Sequence, residues 1–235
     1  MYLSPRLQII ANSINSYVIM ADIGSDHAHL PIYLLKNNRI KKAIATDVNK
    51  GPIEIAKSRI QGDNLTNSIE TRLGNGLCAL KKDEADVIVI AGMGGILITE
   101  ILEDGIDIAR SAKQLVLQPM RDSDLLRRWL YKNSFHIVNE ELVKEEDKIY
   151  EVIWAANGAV EFDRQDLMLI GDKLIKKAHP LLREYIEIKM KALDNIINTL
   201  KDGSSKSGMK KLEECKKLRA YYLEVIKCAK SNAKP

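Results

Sequence analysis

The chain has 235 residues, 46% of them hydrophobic, enough apolar material for a sizeable core and too much for a disordered polypeptide. Its longest apolar runs, such as residues 87–91, are too short to cross a bilayer, and the opening "MYLSPRLQII" has neither the charge nor the cleavage pattern of a secretory signal. The net charge of +4 hides an asymmetry: residues 161–235 hold 17 Lys+Arg against 11 Asp+Glu, while 1–160 hold 19 against 21, so a mildly acidic body carries a basic extension suited to a polyanionic partner or simply to a solvated lysine-rich face.

In chain order, an opening helix over 4–16 precedes a strand at 18–23, a helix at 28–37, a strand at 43–47 and a helix at 51–59. A strand at 69–73 follows, then 87–91, nearly pure Val/Ile as a strand buried on both faces requires. A helix at 95–103, a strand at 114–117 and a helix at 122–133 continue the alternation, and two strands at 135–143 and 149–155 flank the charged turn "KEEDK". Strands alternating with helices imply an α/β, doubly wound parallel sheet, and the last pair reads as a hairpin adding an antiparallel edge. After "AANGAV" the period becomes helical from 163 to 200, with Pro180 as a break, a turn-forming loop over 201–208 and a last helix over 209–230. Facing apolar stripes across a short loop predict an antiparallel, coiled-coil-like hairpin. The expected organisation is a catalytic domain over 1–160 and a helical one over 161–235. Cys78, Cys215 and Cys228 are odd in number and scattered, which fits reduced thiols in a cytoplasmic protein. No metal-ligand spacing occurs.

Parallel sheets bind ligands at the carboxyl ends of their strands. Four loops should meet there: 21–27 ("ADIGSDH"), 45–49 ("ATDVN"), 72–77 ("RLGNGL") and 91–95 ("AGMGG"). Asp47, 25 residues after Asp22, can accept both hydroxyls of a ribose. The first loop separates the candidate cofactors. A dinucleotide fold wants repeated glycines so that bare backbone approaches a pyrophosphate, but Gly24 is followed by Asp26 and His27, and an acid there would repel phosphate. S-adenosylmethionine has no phosphate; it has a sulfonium, an ammonium and a carboxylate. Asp22 and Asp26 suit the first two, and amides of the turn suit the third. Asp26 has a plainer reading as the cap of the next helix. Asn75 between Gly74 and Gly76 can meet an adenine edge, or mark only a turn.

The loop 91–95 should face the methyl acceptor. It has no side-chain acceptor and no ring; Gly92, Gly94 and Gly95 leave room and free backbone, although a tight strand–helix junction also wants glycine. A ring nitrogen such as adenine N1 holds its lone pair in the ring plane and attacks a sulfonium methyl without first losing a proton, so catalysis reduces to positioning and charge stabilisation. Gln118 in "LQPM" can read a base edge. Arg121, Arg127 and Arg128 can meet phosphates or form a solvated face. His27 and His29 flank the pocket without a carboxylate partner in sequence. Tyr33 and Trp129 are candidates to stack on the target base.

Seven collinear segments, "LSPRLQIIA", "ADIGSDHAHLPIYLL", "ATDVNKGPIEIAK", "RLGNGL", "IVIAGMGG", "LVLQPM" and "LRRWL", resemble the bacterial tRNA (adenine-N1)-methyltransferases that modify position 22 of the D-arm, the TrmK family. The resemblance covers most of residues 1–155. It implies a Rossmann-like class I methyltransferase with a mostly parallel seven-stranded sheet, S-adenosyl-L-methionine as cofactor, and a C-terminal coiled-coil hairpin that helps hold tRNA. Cofactor contacts would fall on Asp22, Gly24, Ser25, Asp26, His27, Asp47, Val48, Asn75, Gly76, Gly92 and Met93, with Asp26, Gly92, Met93 and Gln118 nearest the chemistry. Many members show G-D-G where this chain has Gly74-Asn75-Gly76. Two other functions compete: a small-molecule methyltransferase, which leaves the basic tail idle, and a non-catalytic RNA-binding protein. A nicotinamide dehydrogenase lacks the glycines it needs.

Overall fold

The computed structural model describes residues 2–14, 19–160, 165–200 and 206–232. The expected end of the first helix at 15–16, the first residue of the strand at 18, the start of the helical tract at 163–164 and the loop 201–205 lie outside them. The chain forms two compact units, Met1–Gly171 and Asp172–Pro235.

The first unit is built on strands β1 (Ile19–Ile23), β2 (Lys42–Asp47), β3 (Ile69–Leu73), β4 (Val87–Met93), β5 (Gln114–Pro119), β6 (Phe135–Glu145) and β7 (Lys148–Asn157). Its helices are α1 (Pro5–Ser13), α2 (His29–Lys36), α3 (Lys50–Gly62), α4 (Gly95–Asp104), α5 (Ile106–Ser111) and α6 (Ser123–Lys132). The sheet runs β3-β2-β1-β4-β5-β7-β6. The first five strands are parallel; β7 is antiparallel to β5, and β6 to β7. The order reverses between β1 and β4, the switch point where such sheets open a crevice.

Side-chain alternation along β4 explains why its sequence is apolar throughout. Val87 and Val89 join the core beneath α1, α2 and α3, with Ile10, Leu30, Ile32 and Ile60. Ile88 and Ile90 join the opposite core, with Ile98 and Leu102 of α4 and Leu126 and Leu130 of α6. Each such side chain contributes roughly 1.5–3 kcal/mol on leaving water, so both sheet faces are anchored and the strand ends above them are held rigid. Ser4 caps α1 and Pro5 occupies its first turn, where a missing N–H costs nothing.

The structure extends β4 two residues beyond the expected stretch, to Met93, and adds two elements without sequence signal, α5 and a 3-10 turn at Gly76–Ala79. At four to six residues, neither of these two is long enough to display a period. The composition shift after residue 160 does not coincide with the boundary between units. Met168 and Ile170 are buried, and Arg127 Nη1 of α6 donates to the Met168 carbonyl at 3.1 Å, so this segment packs against α6 within the first unit.

The second unit contains α7 (Asp172–Lys176), α8 (Leu182–Leu200) and α9 (Lys206–Asn232), with Pro180 between the first two as expected. Leu182, Tyr185, Ile186, Leu193 and Ile197 of α8 are buried with Cys215, Tyr222 and Val225 of α9, three- and four-residue spacings that make one apolar stripe per helix. Arg219 Nε donates to Asp194 Oδ1 at 2.6 Å across the pair. Lys210, Lys211, Lys216 and Lys217 are exposed on α9. This unit carries 16 Lys+Arg against 8 Asp+Glu. Among the described residues no helix is long and apolar enough to cross a membrane.

Candidate active site

The turn after β1 is tightly specified. Gly24 has φ +68°, and Ser25 N donates to the Thr46 carbonyl at 2.8 Å, tying the turn to the end of β2. Asp26 and Ala28 adopt φ +48° and +55°, a left-handed backbone that side chains disfavour and that concentrates at functional loops. Asp26 is therefore not the helix cap: α2 starts after Ala28 without a side-chain cap. The Asp26 carboxylate is 69% exposed and lies 3.5 Å from His27 Nε2. Asp22, by contrast, is 7% exposed. Burial pushes its pKa up to about 6, against the opposing hydrogen bond donated by Ser25 Oγ at 2.5 Å.

Two cavities open at the strand ends, and Gly24 borders both. The smaller, about 160 Å³, is lined by Arg6, Asp22, Ser25, Asp26, His29, Gly92 and Gln118 among others. The larger, about 320 Å³, is lined by Thr46, Asp47, Val48, Asn75, Gly76, Met93, Leu97 and Ile101. Of the expected cofactor contacts, only His27 lines neither. The Met93 methyl occupies the space that a side chain at Gly24 would take, so a flexible thioether stands between the cavities. Asp47 Oδ1 accepts from Asn49 N at 2.8 Å, which orients the carboxylate. Gly74 N donates to the Asp47 carbonyl at 3.0 Å, joining the second and third loops. Two buried polar atoms here, His27 Nδ1 and Thr46 Oγ1, have no partner among the described residues, an uncommon state that marks either a ligand or a functional constraint.

The 91–95 loop divides its glycines between roles. The β4–β5 register shifts between Ala91 and Met93, and Gly92 sits in that irregularity at φ +78° with open space where a Cβ would point. Gly95 is a packing glycine: its N donates to the Arg121 carbonyl at 2.9 Å, and a Cβ would strike the Asp122 carbonyl. Gln118 is 1% exposed and its amide is committed. Oε1 accepts from Gly92 N and Arg6 Nη1, both at 3.1 Å, and Nε2 donates to the Pro119 carbonyl at 3.0 Å. It positions two neighbours and has no edge left to read a base.

Other expectations need correction. Arg127 is 1% exposed; its Nε donates to Glu140 Oε1 at 2.6 Å and its Nη2 to Glu151, so it is a buried ion-pair centre and no phosphate contact. Arg121 alone of the three arginines is exposed, beside Gly94 and 3.5 Å from Asp122 Oδ2. Trp129 donates to Glu103 Oε2 at 2.7 Å and stacks on Phe135. Tyr33 Oη accepts from Gln8 Nε2 at 3.2 Å. Neither ring lines either of these two cavities. Burial, first, and the neighbouring Arg59 push the His29 pKa down. The residue missed outright is Arg6. Its Nε and main-chain N bond the two oxygens of Glu145 at 3.1 Å each, and its guanidinium stacks 4.6 Å from the Tyr150 ring centre. Those partners lie far along the chain, so no local spacing could reveal them.

The chain can now be compared with known proteins. The family model TrmK, tRNA (adenine(22)-N(1))-methyltransferase, matches residues 20–221. The tRNA (adenine(22)-N(1))-methyltransferase of Bacillus subtilis (strain 168) is 42% identical over 180 residues, 74% of this chain and 76% of that relative. The crystal structure of the B. subtilis M1A22 tRNA methyltransferase TrmK matches with a TM-score of 0.88 at 35% identity, covering 96% of this chain and 99% of its own. Streptococcus pneumoniae Sp1610 in complex with S-adenosyl-L-methionine matches with a TM-score of 0.86 at 32% identity, covering 95% and 99%. By sequence over most of its length, and by fold over nearly all of it, the chain belongs to the TrmK family of tRNA (adenine(22)-N(1))-methyltransferases.

Proposed function

We propose that this chain transfers the methyl group of S-adenosyl-L-methionine to N1 of adenine 22 in the D-arm of tRNA. The observation that carries the reading is the pair of cavities meeting at Gly24, one with a buried carboxylate and the other with a ribose-type acid, in a member of this family. The cofactor fits the residues present. The larger cavity suits its nucleoside: Asp47 would accept from the ribose hydroxyls, Asn75 and Gly76 would border the adenine, and Val48, Leu97 and Ile101 supply apolar walls. The smaller suits the amino-acid tail, with Asp22 facing the ammonium. The orphaned Thr46 Oγ1 and His27 Nδ1 are available to the ligand or to water around it.

When bound, S-adenosyl-L-methionine supplies an electrophilic methyl group on a cationic sulfur. Gly24, Gly92 and Met93 border the junction where that sulfur would lie. The open space before Gly92 admits the acceptor base, and Gln118 fixes Gly92 from behind through its amide. Adenine N1 attacks with its in-plane lone pair, so no side chain need remove a proton first. The methylated base would carry a positive charge, and the exposed Asp26 carboxylate at the rim would stabilise it. Holding the two reactants in line contributes most of the remaining acceleration.

Adenine N1 is occluded in folded RNA, so the base must swing out to reach the site. The lysine-rich α9 face grips phosphates, and scattered free thiols at Cys78 and Cys215 together with a tRNA substrate fit a reaction in the cytoplasm. The test is methyl transfer from labelled cofactor to an unmodified tRNA transcript and to the same transcript with guanine at position 22. Label on the first alone supports the proposal; equal label on both, or none, refutes it.

A further inference from the structure

We infer that the groove between α2 and α3 seats a backbone phosphate of the tRNA near the target nucleotide, with Arg59 as its ligand, an assignment that rests on the methyl-transfer reading above. The first unit is acidic, with 20 Lys+Arg against 24 Asp+Glu. Residues 36–63 reverse that balance, with seven against three, so the cations of this unit gather from the end of α2 through β2 to α3. A local basic patch on an acidic body is the electrostatic footprint of a polyanionic partner.

Within that patch a groove of about 370 Å³ is lined by His29, Ile32, Lys36, Arg59, Gly62 and Asp63. His29 also lines the smaller cavity at the strand ends, so the groove begins where that cavity stops. A base swung into the site leaves its own phosphates outside, at the rim. Lys36 Nζ pairs with Asp63, which neutralises the groove's one carboxylate, and Lys57, outside the groove, pairs with Glu54. Arg59 differs. It is exposed, its Nη1 meets the His29 ring 2.8 Å from Nε2, and it has no carboxylate partner among the described residues. Its Nε and Nη2 have no acceptor among them either. Those two N–H groups form the edge of a guanidinium that makes parallel bonds to two phosphate oxygens. A solvated basic face accounts for Lys36 and Lys57, each matched to an acid. It does not account for a guanidinium anchored by one nitrogen to a residue of the cavity wall, with its fork unspent.

Arg59 is exposed, so replacing it should leave the fold intact, but its contact with His29 offers a route to the cofactor, and the test must separate the two effects. Wild-type protein, Arg59→Gln, Arg59→Lys and, as a control for lost charge, Lys57→Gln are titrated with tRNA over a range of salt and calorimetrically with S-adenosyl-L-methionine. Arg59→Gln should weaken tRNA binding about tenfold and lower the log–log salt slope by about 0.7–0.9. Arg59→Lys should recover part of the affinity, since it keeps the charge and loses the fork. Lys57→Gln should have the smaller effect, and cofactor affinity should stay at the wild-type value throughout. Synthetic tRNAs carrying one neutral methylphosphonate in turn at each position around adenine 22 then locate the contact: one of them should bind wild type more weakly and leave Arg59→Gln unaffected. Equal effects of Arg59→Gln and Lys57→Gln, a loss of cofactor affinity matching the loss for tRNA, or no methylphosphonate whose effect vanishes in Arg59→Gln overturns the inference alone. A wild-type protein that binds no tRNA even at low salt overturns the methyl-transfer reading as well.

Discussion

Asp22→Asn should stabilise the free protein while disabling it. In the native state burial lifts the Asp22 pKa from 3.8 to about 6. Between those values the native protein keeps a proton that the unfolded chain has released. Stability therefore falls as pH rises through this window and stays lower above it. About 2 pH units at 1.36 kcal/mol each amount to about 3 kcal/mol of destabilisation at pH 8. Asn is isosteric with the protonated acid and can still accept from Ser25 Oγ, so the substitution removes that cost. For a unit of this size the melting temperature should rise by about 6–12 °C at pH 8, and most of the gain should vanish at pH 4. The same change should weaken S-adenosyl-L-methionine at least about tenfold, because a neutral amide replaces the anion facing its ammonium. Wild-type affinity should fall as pH drops below 6, and that of the variant should not. Thermal denaturation by circular dichroism at the two pH values and calorimetric titration check both limbs. A variant no more stable than wild type at pH 8, or one that binds the cofactor unchanged, refutes the reasoning.

Asp26→Ala should lower turnover about tenfold or more in single-turnover methyl-transfer assays at saturating cofactor, because its carboxylate lines the rim of the smaller cavity and caps no helix. Replacing Lys210, Lys211, Lys216 and Lys217 by Ala should weaken tRNA binding and flatten its dependence on salt by up to about 3–4 in log–log slope, leaving calorimetric cofactor affinity alone. Arg127→Ala should destabilise the first unit by about 3–5 kcal/mol in urea denaturation, since it removes the buried cation that Glu140 and Glu151 both face. A change confined to tRNA affinity would instead restore the phosphate role.

The parallel sheet and the four strand-end loops were legible because their signals are local: the Val/Ile run of β4, the glycine turn after β1, and the spacing from Asp22 to Asp47. What escaped depends on distant partners. Arg127 looks like one more surface arginine in "LRRWL"; it is buried because Glu140 and Glu151 arrive later, on the β6–β7 hairpin. Arg6 reaches the cavity only because Glu145, 139 residues on, holds its main chain and side chain together. Gln118 was placed at the site by its loop, but its bonds to Gly92 and Arg6 could not be read from a sequence. Asp26 shows the same limit on a smaller scale. Asp before a helix usually caps it, and only the left-handed backbone at 26 and 28 turns it away from α2.

The central claim is that the methyl group arrives on N1 of one adenine. Methylation at N1 blocks the Watson–Crick edge, so reverse transcription of tRNA treated with this protein and S-adenosyl-L-methionine reads the site directly. The account predicts a new stop immediately 3′ of position 22 that appears only when both are present. Read-through at position 22, or a stop mapped to another nucleotide, would contradict it.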